Sequence, residues 1–308
     1  MENHYAIGID LGGTNLRAAL VSEEGQIMRK VKVPSSENLR ESLLASISEI
    51  LEEGVVGIGF GVAGLIDREK GSVLESPNIP SIEGWNIAET VRDRFGLPVC
   101  VENDANAAAL GEKWRGEGNA FGSFVLVTLG TGIGGGIIHN NALLNVPAEI
   151  GHMSINSSGE RCSCGNIGCL EAYASAKAML AHAIGALEGG SQSLLKGCCQ
   201  GNIYKLTPED IYRTALEGDT LAREILRQAG RYLGVGISTI INIFGPDAIV
   251  LTGGLIGAWN IYIKEAVREA SRRTLKPLFD RVRIIPSSLG DDAGILGSAH
   301  LVFSCRKT

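Results

Sequence analysis

No stretch of this sequence supplies the roughly 18–20 apolar residues that a membrane-spanning helix needs. A secretory leader is lacking too. The polar Glu2-Asn3-His4 precedes an apolar run that starts at Tyr5 and leads at once into Asp10 and two glycines. Basic clusters are scarce: 28 Lys and Arg stand against 34 Asp and Glu, a net charge of −6. Binding a phosphate backbone needs clustered cations, so neither nucleic acid nor membrane is expected as a partner. A single nucleotide, held by backbone amides and a metal, is not excluded. Walker-type lysine loops and the HRD and DFG motifs of protein kinases are missing as well.

What is present is ordinary for a water-soluble protein. The 308 residues are 44% hydrophobic and 20% charged, enough for two domains with real cores. Seven cysteines is an odd number, and three of them cluster with a histidine at metal-like spacing. That usage fits a reducing, cytoplasmic setting better than a disulfide framework. Cys198 and Cys199 read as thiols in a loop. Cys100 and Cys305 sit in apolar contexts and are expected to be buried.

Along the chain, strand-like and helix-like patterns alternate, which predicts α/β layers. Residues 5–9 read as a strand, DLGGTN as a turn, and LRAALV as the returning strand, with 27–33 continuing the sheet. Residues 37–53 have helical periodicity, with Ser35 or Ser36 as N-cap and Gly54 as the stop. VVGIGFGVAG (55–64) and PVCVEN (98–103) are buried strands, and DANAAALGEKW is an Ala-rich helix. A second strand–glycine turn–strand unit, SFVLVTLGTGIGGGII (123–138), echoes the first. Two such hairpins suggest a duplicated domain. Helices are expected at 170–187, 207–217, 219–242, 258–277 and 291–304. Strands are expected at 248–254, ending in a double glycine, and over VRIIPS, and a loop is expected over GGSQSLLKGCCQGN.

Three glycine turns end strands: DLGGTN (10–15), LGTGIGGG (129–136) and LTGG (251–254). Glycine lets a backbone approach a ligand closely, and successive amides form an anion-binding nest. Thr14 and Thr131 add hydroxyl donors. Asp10, beside the first nest, is suited to orient a hydrated magnesium ion. GTGIGG formally matches a dinucleotide fingerprint, but its glycines lead into another strand, whereas the fingerprint opens a helix. At ENDAN (102–106), Asn103 and Asp104 stand where a strand meets a helix. One reading is a simple helix cap. The other is a general base, Asp104, that accepts a substrate hydroxyl proton while Asn103 binds a neighbouring hydroxyl.

The most specific signal is His152-x9-Cys162-x-Cys164-x4-Cys169. One imidazole and three thiolates are a full tetrahedral set for zinc, and four protein ligands leave no open position, so a structural role is favoured. Glu149 and Glu171 bracket the set. Zinc would fix the His152 tautomer, leaving its second ring nitrogen to donate to a ligand.

These motifs together, with PNIPSIEGW (77–85) and DDAGILGSA (291–299), resemble the ROK family over nearly the whole chain, and within it the ROK glucokinases. The resemblance implies an α/β, actin-like ATPase (ribonuclease H-like) fold of two α/β domains with an interdomain active-site cleft. Residues 1–112 with 291–308 would form the N-terminal domain, and 113–290 the C-terminal one with its zinc-binding loop. The implied activity is ATP-dependent phosphorylation of a hexose, glucose first, at its 6-hydroxyl.

In that reading Asp104 is the base. Gly64, Asn103, Glu149, His152 and Glu171 meet the sugar. Asp10, Gly12, Gly13, Thr14, Asn15, Gly130, Thr131, Gly132, Gly253 and Gly254 meet ATP and Mg2+. His152, Cys162, Cys164 and Cys169 hold a structural Zn2+. A homodimer is implied as well.

Two departures stand out. The family's GPxD is replaced by Gly61-Val62-Ala63-Gly64-Leu65-Ile66-Asp67. NNALLNVPAE also replaces a longer glycine-rich loop ending in AGE, so sugar selectivity stays open among glucose, N-acetylmannosamine, N-acetylglucosamine, mannose, fructose and allose. The other alternative is a sugar-sensing regulator. Its winged-helix domain would precede the kinase-like region, and here the first strand is expected by residue 5.

Overall fold

The computed structural model describes residues 4–35 and 38–305. Tyr5–Leu11 (β1) and Asn15–Ser22 (β2) form the first glycine hairpin, and Ile27–Pro34 (β3) adds a third antiparallel strand. Leu39–Ile50 (α1) leads to Val55–Val62 (β4) and then to a small ribbon of Leu65–Asp67 (β5) and Ser72–Glu75 (β6). Ile87–Phe95 (α2) stops at Gly96, which takes the left-handed conformation that ends many helices. Val99–Asn103 (β7) passes directly into Asp104–Arg115 (α3).

The second glycine hairpin joins Phe124–Leu129 (β8) to Ile133–His139 (β9), with Ala142–Leu143 (β10) beyond. Glu171–Ala174 (α4), Ala176–Glu188 (α5), Leu195–Cys198 (α6), Pro208–Leu216 (α7) and Thr220–Phe244 (α8) come next. Ala248–Thr252 (β11), Lys264–Arg273 (α9), Lys276–Phe279 (α10), Arg283–Pro286 (β12) and Asp292–Cys305 (α11) complete the chain.

Two five-stranded sheets result, ordered β3-β2-β1-β4-β7 and β10-β9-β8-β11-β12. Counted within each sheet, both run third, second, first, fourth, fifth, which is the duplication that the paired hairpins suggest. The chain divides into two compact units. The first holds the chain up to Leu126, Gly136–Ala148, and the chain from Ser287 on; the second holds Val127–Gly135 and Glu149–Pro286. Among the described residues, no helix is long and apolar enough to cross a membrane.

The period-two alternation of β1 sorts its side chains onto the two faces of the first sheet. Ile7, Ile9 and Leu11 pack with Phe60, with Leu43 and Ile47 of α1, and with Val91 of α2. On the other face, Ala6, Ala19 and Val21 meet Ile295, Ala299 and Val302 of α11. That second contact brings backbones together. A Cβ on Gly59 of β4 would stand 1.8 Å from the Ser298 carbonyl oxygen, and one on Gly297 would stand 1.6 Å from the Ala107 carbonyl oxygen of α3. Only glycine fits at either place, so α11 lies flat on β4 and α3.

Several expectations shift. The helix expected at 37–53 is shorter, and its N-cap is Asn38, not Ser35. The Ser35 hydroxyl instead donates to the Gly12 carbonyl at 2.7 Å, tying β3 to the first glycine turn. Ser36 lies outside the described residues. The stop comes at Leu51, before Gly54. The helix expected at 170–187 breaks at Ser175, whose hydroxyl caps α5 by accepting from the Ala178 amide. The 258–277 helix begins as a 3-10 turn and a π turn and ends before Thr274. The loop around Cys198 contains the short α6. Cys305 is exposed and Cys100 only half-buried, because α11 ends at the rim of the sheet; their sulfurs are 3.4 Å apart.

Gly59→Ala is expected to destabilise the fold by about 3 kcal/mol, the upper range for overpacking, because the methyl meets a carbonyl that cannot rotate away. Chemical denaturation checks this; wild-type stability would contradict the close contact.

Candidate functional site

In the first unit, parallel pairing of β1, β4 and β7 puts Asp10, Gly61 and Glu102 in one row. Leu11, Val62 and Asn103 form the next row. The carboxyl ends of these strands therefore finish level. Ligands of open α/β sheets bind at such ends. The residues just beyond them are the candidate ones: Gly12, Gly13 and Thr14 after β1, Gly64 after β4, and Asp104 after β7.

The first glycine turn is closed by the Gly12 amide on the Asn15 carbonyl at 3.1 Å. Gly13 and Thr14 are exposed at its tip, and Asn15 opens β2. Asp10, at the end of β1, accepts from Arg17 Nη1 at 2.9 Å, and Arg17 Nη2 donates to Asp291 at 2.9 Å. Burial raises the Asp10 carboxyl above its ordinary value, and the Arg17 guanidinium opposes that. A Lys30–Asp292 ion pair adds a second tie between β3 and the start of α11.

Asn103 is the N-cap of α3. Its Oδ1 accepts from the Ala105 amide at 2.9 Å and the Asn106 amide at 3.1 Å. Its Nδ2 donates to the Gly64 carbonyl at 3.1 Å. The capping role is thus real. An Asn amide has two N–H groups, so the cap and a hydroxyl contact are compatible. Gly64 has φ +133, and a Cβ there would stand 2.3 Å from the Glu75 carbonyl oxygen. Asp104 is the first residue of α3, where the helix dipole favours negative charge.

In the second unit, three features interlock. The Gly130 amide donates to the Gly132 carbonyl at 3.0 Å, shaping the second glycine turn with Thr131 exposed at its tip. Glu171, first in α4, accepts from the Ile133 amide through Oε2 at 2.8 Å. Gly253, with φ +96, lies against the Leu129 backbone, so the turn of Gly253 and Gly254 adjoins the β8 end. GTGIGG leads into β9, not into a helix, which removes the dinucleotide reading.

The ligating atoms of His152, Cys162, Cys164 and Cys169 all lie within 4.8 Å of one another. Cys162 Sγ is 3.7 Å from His152 Nδ1, and Cys164 Sγ is 3.7 Å from Cys169 Sγ. A tetrahedral site with metal–sulfur bonds of about 2.3 Å separates its sulfurs by about 3.8 Å. The donor set therefore fits zinc in kind, number and spacing. Burial, and then the neighbouring thiols, push the Cys169 thiol up to about 12.

Nδ1 of His152 is the ring nitrogen that faces the cluster. Glu149 opens the short turn that carries His152, and its carbonyl accepts from the His152 amide at 3.1 Å. Tyr173 secures the cysteine loop, its hydroxyl accepting from the Glu160 amide at 2.6 Å.

Some participants escape sequence reasoning. Arg17 carries no motif, and Asp291 and Tyr173 lie within family motifs that give neither of them a role. Glu102 does carry a signal, as the one acid in the otherwise apolar PVCV strand.

The repeated sheet order, opened each time by a glycine hairpin, defines an α/β actin-like ATPase fold. A solved ROK family glucokinase from Streptomyces griseus, in complex with glucose and AMPPNP, matches with a TM-score of 0.85 at 32% identity, covering 97% of this chain and 99% of that one. The chain belongs to the ROK family, whose model matches residues 6–304. It is 36% identical over 307 residues to the glucokinase of Thermotoga maritima, covering 96% of each chain. It is also 31% identical to the xylose repressor of Caldicellulosiruptor bescii, covering 97% of this chain and 78% of the repressor.

Asn103→Ala is expected to cost about 1 kcal/mol of stability or more through the lost cap, whereas Asn103→Asp keeps the cap but loses the donor to the Gly64 carbonyl and should fall between Asn103→Ala and wild type. Thermal unfolding of the two variants side by side checks this.

Proposed function

We propose that this chain transfers the γ-phosphoryl group of ATP to the 6-hydroxyl of glucose. The observation that carries this reading is the match, along nearly the whole of both chains, to the Streptomyces griseus glucokinase with its sugar and nucleotide analogue. The site chemistry supports it. Asp104 takes the proton of the 6-hydroxyl as that oxygen bonds to the γ-phosphorus. The bond from phosphorus to the bridging oxygen breaks, and ADP leaves with the electron pair.

Asn103, Glu149, His152 Nε2 and Glu171 bind the other sugar hydroxyls, with the Gly64 backbone beside them. The glycine turns Gly12–Thr14 and Gly130–Gly132 present amides and hydroxyls to the phosphates, with Asn15 alongside. Gly253 and Gly254 take the adenosine. Asp10 would orient a hydrated Mg2+, which would supply charge neutralisation on the phosphates. His152, Cys162, Cys164 and Cys169 hold zinc, which supplies structure only, because four protein ligands close its coordination. The reading includes a cytoplasmic homodimer that needs neither nucleic acid nor membrane.

A coupled assay of ADP release over a panel of hexoses tests the activity. Glucose should give the highest kcat/KM; absence of any sugar-dependent turnover would sink the proposal, and a preference for an epimer or N-acetyl sugar would move the substrate. Asp104→Asn should bind glucose normally yet lose roughly 10²–10⁴ of kcat, the usual worth of a general base. Retained activity would remove Asp104 from that role. Metal analysis should find about one zinc per chain. Cys164→Ala should lower both stability and glucose affinity, because the segment it closes is flanked by Glu149 and Glu171.

A further inference from the structure

The strand residue Glu102 is 4% exposed, and four donors converge on its Oε1. Arg68 donates from Nε at 2.9 Å and approaches with Nη2 at 2.8 Å. The Asn103 amide donates at 2.8 Å and Asn106 Nδ2 at 3.1 Å. Two of these donors also reach outward to one segment. Arg68 Nη1 donates to Asn145 Oδ1. Asn106 Nδ2 also donates to the Val146 carbonyl at 3.4 Å. Asn106 is fully buried, and its Oδ1 has no partner among the described residues. The amide cannot turn over to relieve this, because its oxygen would then face the Glu102 carboxylate.

The segment so held ends in an unfavourable backbone. Ala148 has φ +50. The other described non-glycine residues with positive φ are Asn140, Asn141 and Gln200. Asparagine tolerates the left-handed region through its short polar side chain; alanine has no such compensation. Such strain persists only where the surroundings over-determine it. Here the restraints are successive. The Leu144 amide donates to the Ile137 carbonyl at 2.8 Å, Asn145 is held by Arg68, and Val146 by Asn106. Pro147 fixes its own φ and restricts Val146. The peptide that leaves Ala148 is the one that enters Glu149.

We propose that Glu102, Arg68, Asn106 and Asn145 form a latch that holds residues 144–148 and keeps Ala148 left-handed, so that the chain enters Glu149 in the direction sugar binding requires. Arg68 and Asn145 are thereby positioning residues for the sugar. The inference rests on the reading of Glu149 as a sugar ligand. It gives the segment that departs from the family pattern a means of setting sugar affinity without touching the phosphoryl-transfer groups.

Asn145 is the place to test this, because its replacement leaves the Glu102–Arg68 pair intact. Asn145→Ala should raise the KM for glucose about tenfold, the worth of one charge-assisted hydrogen bond. The kcat and the KM for ATP should stay within about twofold. Asn145→Asp keeps an acceptor for Arg68 and should hold the glucose KM near wild type. Adding Ala148→Gly to Asn145→Ala should recover part of the lost affinity, because glycine adopts the left-handed backbone without restraint. A wild-type glucose KM in Asn145→Ala overturns the latch. A raised KM that Ala148→Gly leaves unmoved overturns the backbone route. Amide hydrogen exchange over 144–150 needs no turnover and should speed up in Asn145→Ala. Unchanged exchange overturns the latch even where wild-type turnover upholds the kinase reading, and absent turnover with faster exchange sinks only the kinase reading.

Discussion

The parallel register of β1, β4 and β7 is the constraint on which the first unit's chemistry depends. One-residue slippage would turn every side chain to the opposite face. It would also separate Asp10, Gly61 and Glu102, which stand in one row. Hydrogen bonding alone does not choose this register. The near contact between Gly59 and the Ser298 carbonyl helps to do so, because α11 meets the sheet only where β4 lacks a side chain. Ser298 then donates its hydroxyl to the Ile9 carbonyl at 2.9 Å, joining the last helix to the first strand. The last helix, packed backbone on backbone against β4 at Gly59 and hydrogen-bonded to Ile9 of β1, helps to keep the strand ends that carry Gly12, Gly64 and Asp104 level.

In the second unit the corresponding problem is solved with different means. Between Ser154 and Gly168 the chain is mostly polar and exposed, so burial of apolar side chains cannot fold it. What shapes it is a set of point attachments. Bridges pair Ser154 with Cys169 and Arg161 with Ile167, and Tyr173 accepts from Glu160. The four-donor cluster sits at the centre of these. A metal held there, as proposed, would replace a missing core by direct bonds, which is how small polar segments reach a single structure. The consequence for the proposed chemistry would be indirect: with Nδ1 of His152 on the cluster side, a metal there would leave Nε2 as the ring nitrogen free of it.

Much of this was legible in the residues themselves, and the exceptions share a physical cause. Apolar strands, the two hairpins and the His/Cys set announce themselves because each depends on neighbours within a few dozen positions. Asn103 announced both of its readings, and the structure establishes the capping one. Arg17 and Arg68 announce nothing. Their partners Asp291 and Glu102 are chosen by the fold, 274 and 34 residues away. Helix ends misled for a related reason. Periodicity continues through Thr274 and past Leu51, but where a helix stops is settled by how the next segment of chain packs.

Glu102 shows why a buried charge can be worth keeping in such a place. An isolated carboxylate in a sheet interior is costly, and a partner of one guanidinium often only offsets that cost. A hydrophobic residue at 102 would serve the strand as well. It would not serve the Asn103 amide, the Asn106 side chain or Arg68, whose geometries are all set by one oxygen. The gain is therefore direction more than stability. The first turn of α3 and the segment before Glu149 are thus tied, through the Asn103 amide, Asn106 and Arg68, to the same carboxylate oxygen.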